Sequence, residues 1–409
     1  MKKSVLLFSM YAILFISWRD NGTEVEQVLV PPESKPLTTL EKAVVTSDNS
    51  FGLKLFAGIN QTDQNKNVFI SPFSVSMALG MALNGAGGAT LDSMKKVLEH
   101  SNFTLQEINE SYRSISALLE GLDPKVIMNI ANSVWHRNSF QVYPTFLDAC
   151  RTYFDADVAS LDFASPTAVQ TINTWVNSKT NGKIPTILDN IPSDAVMYLI
   201  NAIYFKGIWK YQFDPATTSD ATVVSPTGNS PCRMMSQRAR YAYRSTGSEQ
   251  VIDMAYGDGH FSMLVILPQQ GLSIDQYATS LTQEKWDELS NGMDSMDVEL
   301  YMPKFKLEYE KTLNNELVGM GMGNAFFVAD FSRIAAAPLE ISEVKHKTFV
   351  EVNEEGTEAA AVTSIGIRLT SAEPSIPTMR IDHPFICAIT EHATGTILFL
   401  GKIVSPTSS

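Results

Sequence analysis

Between residues 351 and 385 the sequence EVNEEGTEAAAVTSIGIRLTSAEPSIPTMRIDHPF leaves a strand-like run and enters small residues. It then crosses a mixed polar stretch with two prolines and returns to the apolar FICAI. Long surface loops of this kind are ordinary. Here, however, alternate residues sort into two faces: Thr357, Ala359, Ala361, Thr363, Ile365 and Ile367 share one parity and carry no charge, while Glu358 and Arg368 fall on the other. The chemistry open to such a segment is that of a loop able to become a strand with one face buried.

The usual signatures of catalysis are missing. There is no Gly-x-Ser-x-Gly elbow, no His-Glu-x-x-His and no phosphate loop of the Walker type. GMGMGN at residues 319–324 has glycines without the GxGxxG spacing and follows a helical pattern, so it predicts a helix C-terminus. The 6 histidines and 3 cysteines fall at no metal-ligand spacing. The expectation is a protein that is not an enzyme, with no catalytic residue, metal or cofactor of its own. Cys150 and Cys387 read as buried thiols, and Cys232, beside Pro231 in a polar stretch, as the exposed one.

The elements that must hold this loop divide by period. Helical patterns come first: Phe51, Leu55 and Phe56, then Ser71 and Pro72 as an N-cap with proline in the first turn, then FSVSMALGMAL. NGAGGAT breaks that helix, and Thr90 is placed to cap the next. From Met128 onward strand-like runs dominate. VMYLINAIYF, apolar on both faces apart from Asn201, predicts a central strand. Residues 168–182 intervene as a helix with Ile172, Trp175 and Val176 on one face. No repeat, low-complexity tract or linker follows residue 50, which favours one mixed domain.

Composition sets the remaining bounds. The 409 residues are 44% hydrophobic and 18% charged, enough apolar matter for a large core, and the net charge of −13 supplies no basic field for nucleic acid or anionic lipid. Lys2 and Lys3 before an apolar run ending at Trp18 predict a signal peptide over residues 1–18, too short to span a membrane, followed by a flexible lead over 19–45. A secreted, extracellular glycoprotein is therefore expected, with sequons at Asn21, Asn60, Asn102 and Asn109.

NVFISPFSVSMALGMALNGAGGAT, INTWVNSKTNGKIPTIL, LINAIYFKGIWK, EVNEEGTEAAA and IDHPFICAI with GTILFLGKIV resemble, in order, blocks of the serpin family from about Ser50 to the C-terminus. The resemblance implies an α+β serpin fold over residues 46–409, with three β-sheets, eight or nine helices and an exposed reactive loop at about 354–380. It also implies a suicide substrate: a target serine protease forms an acyl-enzyme at the loop, which then inserts into the central sheet.

Carried over residue by residue, Gly356 matches the hinge glycine and Thr357 the first inserted side chain. Glu358, Ala359, Ala360, Ala361, Val362 and Thr363 complete the hinge. Ser71, Ser74, Asn201 and His346 match the polar shutter beneath the sheet, and Trp209 the breach where insertion starts. Family spacing places the scissile bond at Thr370–Ser371, with Leu369 and then Arg368 as alternatives. The expected partner is a serine protease held as a covalent acyl complex by a monomer. No nucleic acid or membrane partner is expected, and heparin binding is doubtful because Lys95, Lys96 and Arg113 face Glu99, Glu107 and Glu110. The alternative within the same scaffold is a non-inhibitory carrier of a small ligand.

Overall fold

Helical periodicity dominates before Met128 and strand periodicity after it; all described strands but β1 lie from Val126 onward, while five of the nine helices are interspersed among them. A computed structural model describes residues 36–357 and 376–406. Among these, nine α-helices occur: α1 Thr39–Thr62, α2 Pro72–Leu83, α3 Gly88–Val97, α4 Leu105–Leu119, α5 Pro144–Phe154, α6 Ala168–Lys179, α7 Ile274–Thr279, α8 Gln283–Ser290 and α9 Asn314–Leu317. The strands are β1 Val68–Ile70, β2 Val126–Arg137, β3 Asp157–Leu161, β4 Met197–Ile208, β5 Ser219–Ser225, β6 Gly228–Ser245, β7 Glu249–Ala255 and β8 Phe261–Pro268. They continue with β9 Asp294–Pro303, β10 Phe305–Thr312, β11 Lys345–Val352, β12 Gly356–Thr357, β13 Thr378–Arg380, β14 Phe385–Glu391 and β15 Ile397–Ile403.

Local chemistry explains where the helices begin. Thr38 and Glu41 form a capping box at α1, each side chain accepting from the other's backbone N–H. That box starts the helix inside the 19–45 segment expected to be a flexible lead, so the lead is shorter than its polar composition suggested. Ser71 caps α2 through the Ser74 N–H, with Pro72 in the first turn where its missing N–H costs nothing. Thr90 does not cap α3, which starts earlier from Gly87. Instead its hydroxyl accepts from Asp330 N and donates to the Asn324 carbonyl, fastening the 324–330 loop to α3.

The strands form two hydrogen-bonded sheets. One is six-stranded, in the order β10-β11-β12-β4-β2-β3; the other is nine-stranded, β1-β15-β14-β8-β7-β6-β9-β13, with β5 on β6. The second contains two of the three expected sheets. Eighteen-residue β6 runs continuously from its pairing with β5 and β9 to its pairing with β7 and so joins them.

The core lies between the sheets and the early helices, with Phe51, Phe56, Phe69, Phe73, Tyr112 and Phe385 fully buried. β15 and β14 are the second and third strands of the large sheet, just inside β1, and Asn49 of α1 bonds to both Gly395 O and Ile397 N at the hairpin between them. Cys232 proves buried like Cys150 and Cys387, packed with Val223 and Met234 where β5 covers β6. Its polar neighbours point outward on the alternating strand. Among the described residues no helix is long and apolar enough to cross a membrane. The predicted signal segment lies outside them.

Candidate functional site: the mouth and cleft of the six-stranded sheet

Among the described residues β12 comprises Gly356 and Thr357, and its position defines the site. Val352 of β11 pairs antiparallel with Thr357, which pairs antiparallel with Gly207 of β4. β4 and β11 therefore run parallel to each other. Among the described residues no ladder joins them below this bridge. β4 is fully paired along its other side, eleven residues with β2 from Val126↔Gly207 to His136↔Met197. Between the two strands lie two separate cavities: a small one of about 10 Å³ beside Thr357, lined by Ile203, Phe205 and Val350, and a larger one of about 520 Å³ further along, lined by residues 194–201 and 338–347 with Ser74, Asn201 and His346 at its near end.

At the mouth, the turn from β11 into β12 is tied by Asn353. Its Oδ1 accepts from Glu355 N at 3.0 Å and Gly356 N at 3.3 Å, while its own N–H donates to Gly356 O. Gly356 is required by proximity: with φ at 156°, a Cβ there would sit 2.0 Å from the Gly207 carbonyl oxygen. Thr357 is buried, and its hydroxyl lies 2.7 Å from the Tyr256 hydroxyl. Tyr256 stacks on Trp209, with ring centroids 4.3 Å apart and planes at 12°. Trp209 holds the turn twice, through Nε1 to Asn353 O at 2.9 Å and N–H to Glu355 O at 2.8 Å.

Two glutamates flank this turn in opposite states. Glu354 meets Lys304 at 2.7 Å and the Thr218 hydroxyl at 2.8 Å. Burial pushes its acidity toward the neutral form, but those partners outweigh it and hold the carboxyl below its ordinary value. Glu355 is raised, by burial and then by the neighbouring Glu354 charge, and its Oε2 is buried without a hydrogen-bond partner.

Deeper in the cleft, Ser71 and His346 meet directly. Ser71 N donates to His346 Nε2 at 3.0 Å, so Nδ1 carries the ring proton, and Ser71 Oγ donates to Leu398 O at 2.6 Å. Burial depresses the imidazole to about 4. Asn201 stands on the opposite bank, donating to Asn132 Oδ1 at 2.8 Å, and its own Oδ1 is buried without a partner. The structure thus gathers Ser71, Ser74 and His346 under β11 and places Asn201 across the cleft from them. Gly356, Thr357 and Trp209 meet at the mouth. Glu358, Ala359, Ala360, Ala361, Val362 and Thr363 lie outside the described residues, as do Arg368, Leu369, Thr370 and Ser371.

Sequence reasoning missed Tyr256, Asn353, Asn132 and the Glu354–Lys304 pair. Only Asn353 carried a local signal, a turn-forming residue between the strand-like run and Gly356.

The described residues supply no nucleophile poised for catalysis. Burial pushes the Cys150 and Cys387 thiols up to about 12. The nearest approach to a triad is His392, Asp253 and Ser262, in which Ser262 donates to the carboxylate and not to the imidazole. Among these residues no group of three His, Cys, Asp or Glu is arranged to hold a metal.

The sequons fare unevenly. Asn60 is buried and donates to Phe56 O inside α1, and Asn109 is buried in a reciprocal amide pair with Asn84. Neither has room for a glycan, which corrects both assignments. Asn102 is exposed before the Thr104 cap of α4, and Asn21 lies outside the described residues.

Comparison with known proteins agrees with this geometry. A family signature described as Serpin (serine protease inhibitor) matches residues 46–406. The leukocyte elastase inhibitor of Homo sapiens is 35% identical over 377 residues, covering 88% of this chain and 99% of the relative. An uncharacterized serpin-like protein of Methanosarcina acetivorans is 34% identical, covering 89% and 88%. Among solved structures, the native state of the thermophilic serpin tengpin superposes with TM-score 0.83 at 33% identity, covering 92% and 97% of the chains. Human thyroxine-binding globulin complexed with thyroxine superposes at 0.82 and 27%, covering 90% and 100%.

These relatives overturn the expectation of a secreted, extracellular protein. The human inhibitor is matched over 99% of its own length by 88% of this chain, and the family signature begins at residue 46. The segment on which secretion rested therefore has no counterpart in that relative, and none of the relatives supplies evidence for export.

Proposed function

The chain belongs to the serpin family, whose general activity is inhibition of proteases, and from that premise we propose that it traps serine proteases as a suicide substrate. The protease attacks a carbonyl of the loop beyond Thr357, at Thr370–Ser371 or, one or two residues earlier, after Leu369 or Arg368. It forms the acyl-enzyme with its own triad and oxyanion hole. The freed loop then extends β12 down the cleft between β4 and β11.

The observation that carries this reading is that Gly356 and Thr357 are already seated as a strand between parallel β4 and β11, with a small cavity beside Thr357 and a larger one further along the same two strands. Extending it converts parallel neighbours into two antiparallel ladders, the better-paired arrangement. On the order of ten new backbone hydrogen bonds, at about 1 kcal/mol each, favour the inserted state. A strand of about 14 residues spans roughly 46 Å, a long enough pull to displace the acylated enzyme. Distorting its catalytic groups by about 1 Å is enough to slow deacylation ~100-fold.

The side chains at the inward positions support the same reading. Thr357, Ala359, Ala361 and Thr363 bring no charge into the cleft, where an unpaired charge would be costly. Asn201 Oδ1, buried and unpartnered on the bank, offers an acceptor to an arriving N–H.

The test is to mix the intact protein with a panel of serine proteases. The expected result is an SDS-resistant adduct with at least one of them, and mass spectrometry of the released fragment locates the cut. A protein cleaved within residues 368–371 by every enzyme, with no adduct and no gain in melting temperature, would overturn the proposal.

A further inference from the structure

His392, in the turn after β14, faces two oxygens that can only accept hydrogen bonds. Nδ1 lies 2.8 Å from the Gly259 carbonyl and Nε2 3.1 Å from Asp253 Oδ2. A neutral imidazole has one N–H and satisfies one of them; the imidazolium satisfies both. Burial works against the charge, but Asp253, the Gly259 carbonyl and Glu391 together outweigh it and raise the ring above its ordinary value.

The ionisable groups around it are few. Asp253 comes from β7 and also accepts from Ser262 Oγ at 2.9 Å. Glu391, the last residue of β14 and the neighbour of His392, is engaged by the N–H groups of Ala393 and Thr394. His260, in the turn that supplies the Gly259 carbonyl, accepts from His392 N through its own main-chain oxygen. The His392 side chain keeps 43% of its surface exposed, so its proton exchanges with solvent without unfolding.

What His392 holds is the turn over residues 256–260, and that turn carries Tyr256. Gly257 N donates to Ile208 O, Tyr256 N to Phe261 O and Gly259 N to Tyr256 O, each at 2.8 Å. On its far side the turn is fixed by Asp123, which accepts from Asp258 N, and by the Lys125–Asp258 pair at 2.6 Å.

We propose that His392 is a proton-dependent strut for the mouth of the six-stranded sheet. As the imidazolium it fixes the 256–260 turn, and through it the Tyr256 ring on which Trp209 and Thr357 rest. When it loses the proton it releases one of its two oxygens and the mouth loosens. The consequence for loop insertion rests on the inhibitory function proposed above; the strut itself does not.

Hydrogen exchange on the intact protein tests it, followed from roughly pH 5.5 to 8.5, the span in which histidine titrates. Rates are divided by the intrinsic rate at each pH and read at the amides of 205–213 and 255–261. Wild type is expected to show opening rising about three- to tenfold as pH rises, the scale of one partly exposed charge-assisted hydrogen bond. His392→Gln should abolish that dependence and Asp253→Asn should shift its midpoint to lower pH.

Equal pH dependence in wild type and His392→Gln, or an unmoved midpoint in Asp253→Asn, would overturn the strut. Should a variant fail to fold, wild type alone decides. The NMR titration midpoint of the His392 ring must coincide with that of the exchange change, and a separate midpoint refutes the coupling. No protease or cleaved loop enters this measurement, so a failure to trap proteases would leave it standing.

Discussion

The Thr357 hydroxyl and the Tyr256 phenol lie 2.7 Å apart in a buried pair, with Tyr256 stacked on Trp209. One strand residue thus rests on an aromatic platform where β12 bridges β4 and β11. Tyr256→Phe leaves the Thr357 hydroxyl without that partner, at a cost of roughly 1–2 kcal/mol. The expected outcome is a lower denaturation midpoint for the uncleaved protein, with the cleaved form affected less or not at all.

Thr357→Arg places an unpaired charge at the first inserted position. The adduct yield with a trapped protease is expected to fall at least about tenfold while cleavage continues, because insertion slows and hydrolysis does not. Gel densitometry at equal protease turnover measures this. Undiminished trapping by the variant would remove Thr357 from the hinge.

Gly356→Ala meets the Gly207 carbonyl oxygen with no room for a Cβ. Backbone must move, so β12 should detach from β4. Hydrogen exchange at the Thr357 and Trp209 amides is expected to speed up in the variant, with the rest of the six-stranded sheet unchanged.

The buried His346 gives a stability change on the acid side. Its imidazole is depressed from the ordinary 6.5 to about 4, so between those values the unfolded chain binds a proton that the folded chain refuses. Stability from this group is complete above pH 6.5 and declines as pH falls toward about 4, by up to about 3 kcal/mol. Protonation would also occupy the lone pair that accepts the Ser71 N–H. His346→Gln should flatten the acid limb of a denaturant-midpoint series; an unchanged limb would assign it to other groups.

Removing Lys304 as Lys304→Ala takes away the one cation paired with Glu354 and leaves the Thr218 hydroxyl and a backbone N–H. The expected loss is roughly 1–2 kcal/mol, since the pair is partly screened by solvent. Glu354→Gln in the same background should recover part of it, measured by a double-mutant cycle.

The parts of this site visible in the sequence are those set by local pattern. Gly356 with its alternating small residues, the Ser71-Pro72 helix start and the apolar run around Asn201 all announce themselves over a few neighbours. Tyr256, Lys304 and Asn132 do not, because each reaches the site through a sheet register fixed by distant partners; Tyr256 and Thr357 are 101 positions apart. The same blindness explains the errors. Asn60 and Asn109 satisfy a three-residue pattern that carries no record of burial. The polar neighbours of Cys232 point to the other side of β6, and the composition of residues 19–45 carries no record that the Thr38–Glu41 box starts a helix there.

The interior position of β14 and β15 bears on biosynthesis. These strands, residues 385–403, separate β8 from β1, and their hairpin closes onto Asn49 of the first helix. A ribosome must therefore release nearly the whole polypeptide before the larger sheet can be completed. Until then the emerging chain presents unpaired β8 and β1 edges and a row of aliphatic side chains to its surroundings or any holding chaperone, and its assembly is governed by contacts among the most distant in sequence that it makes.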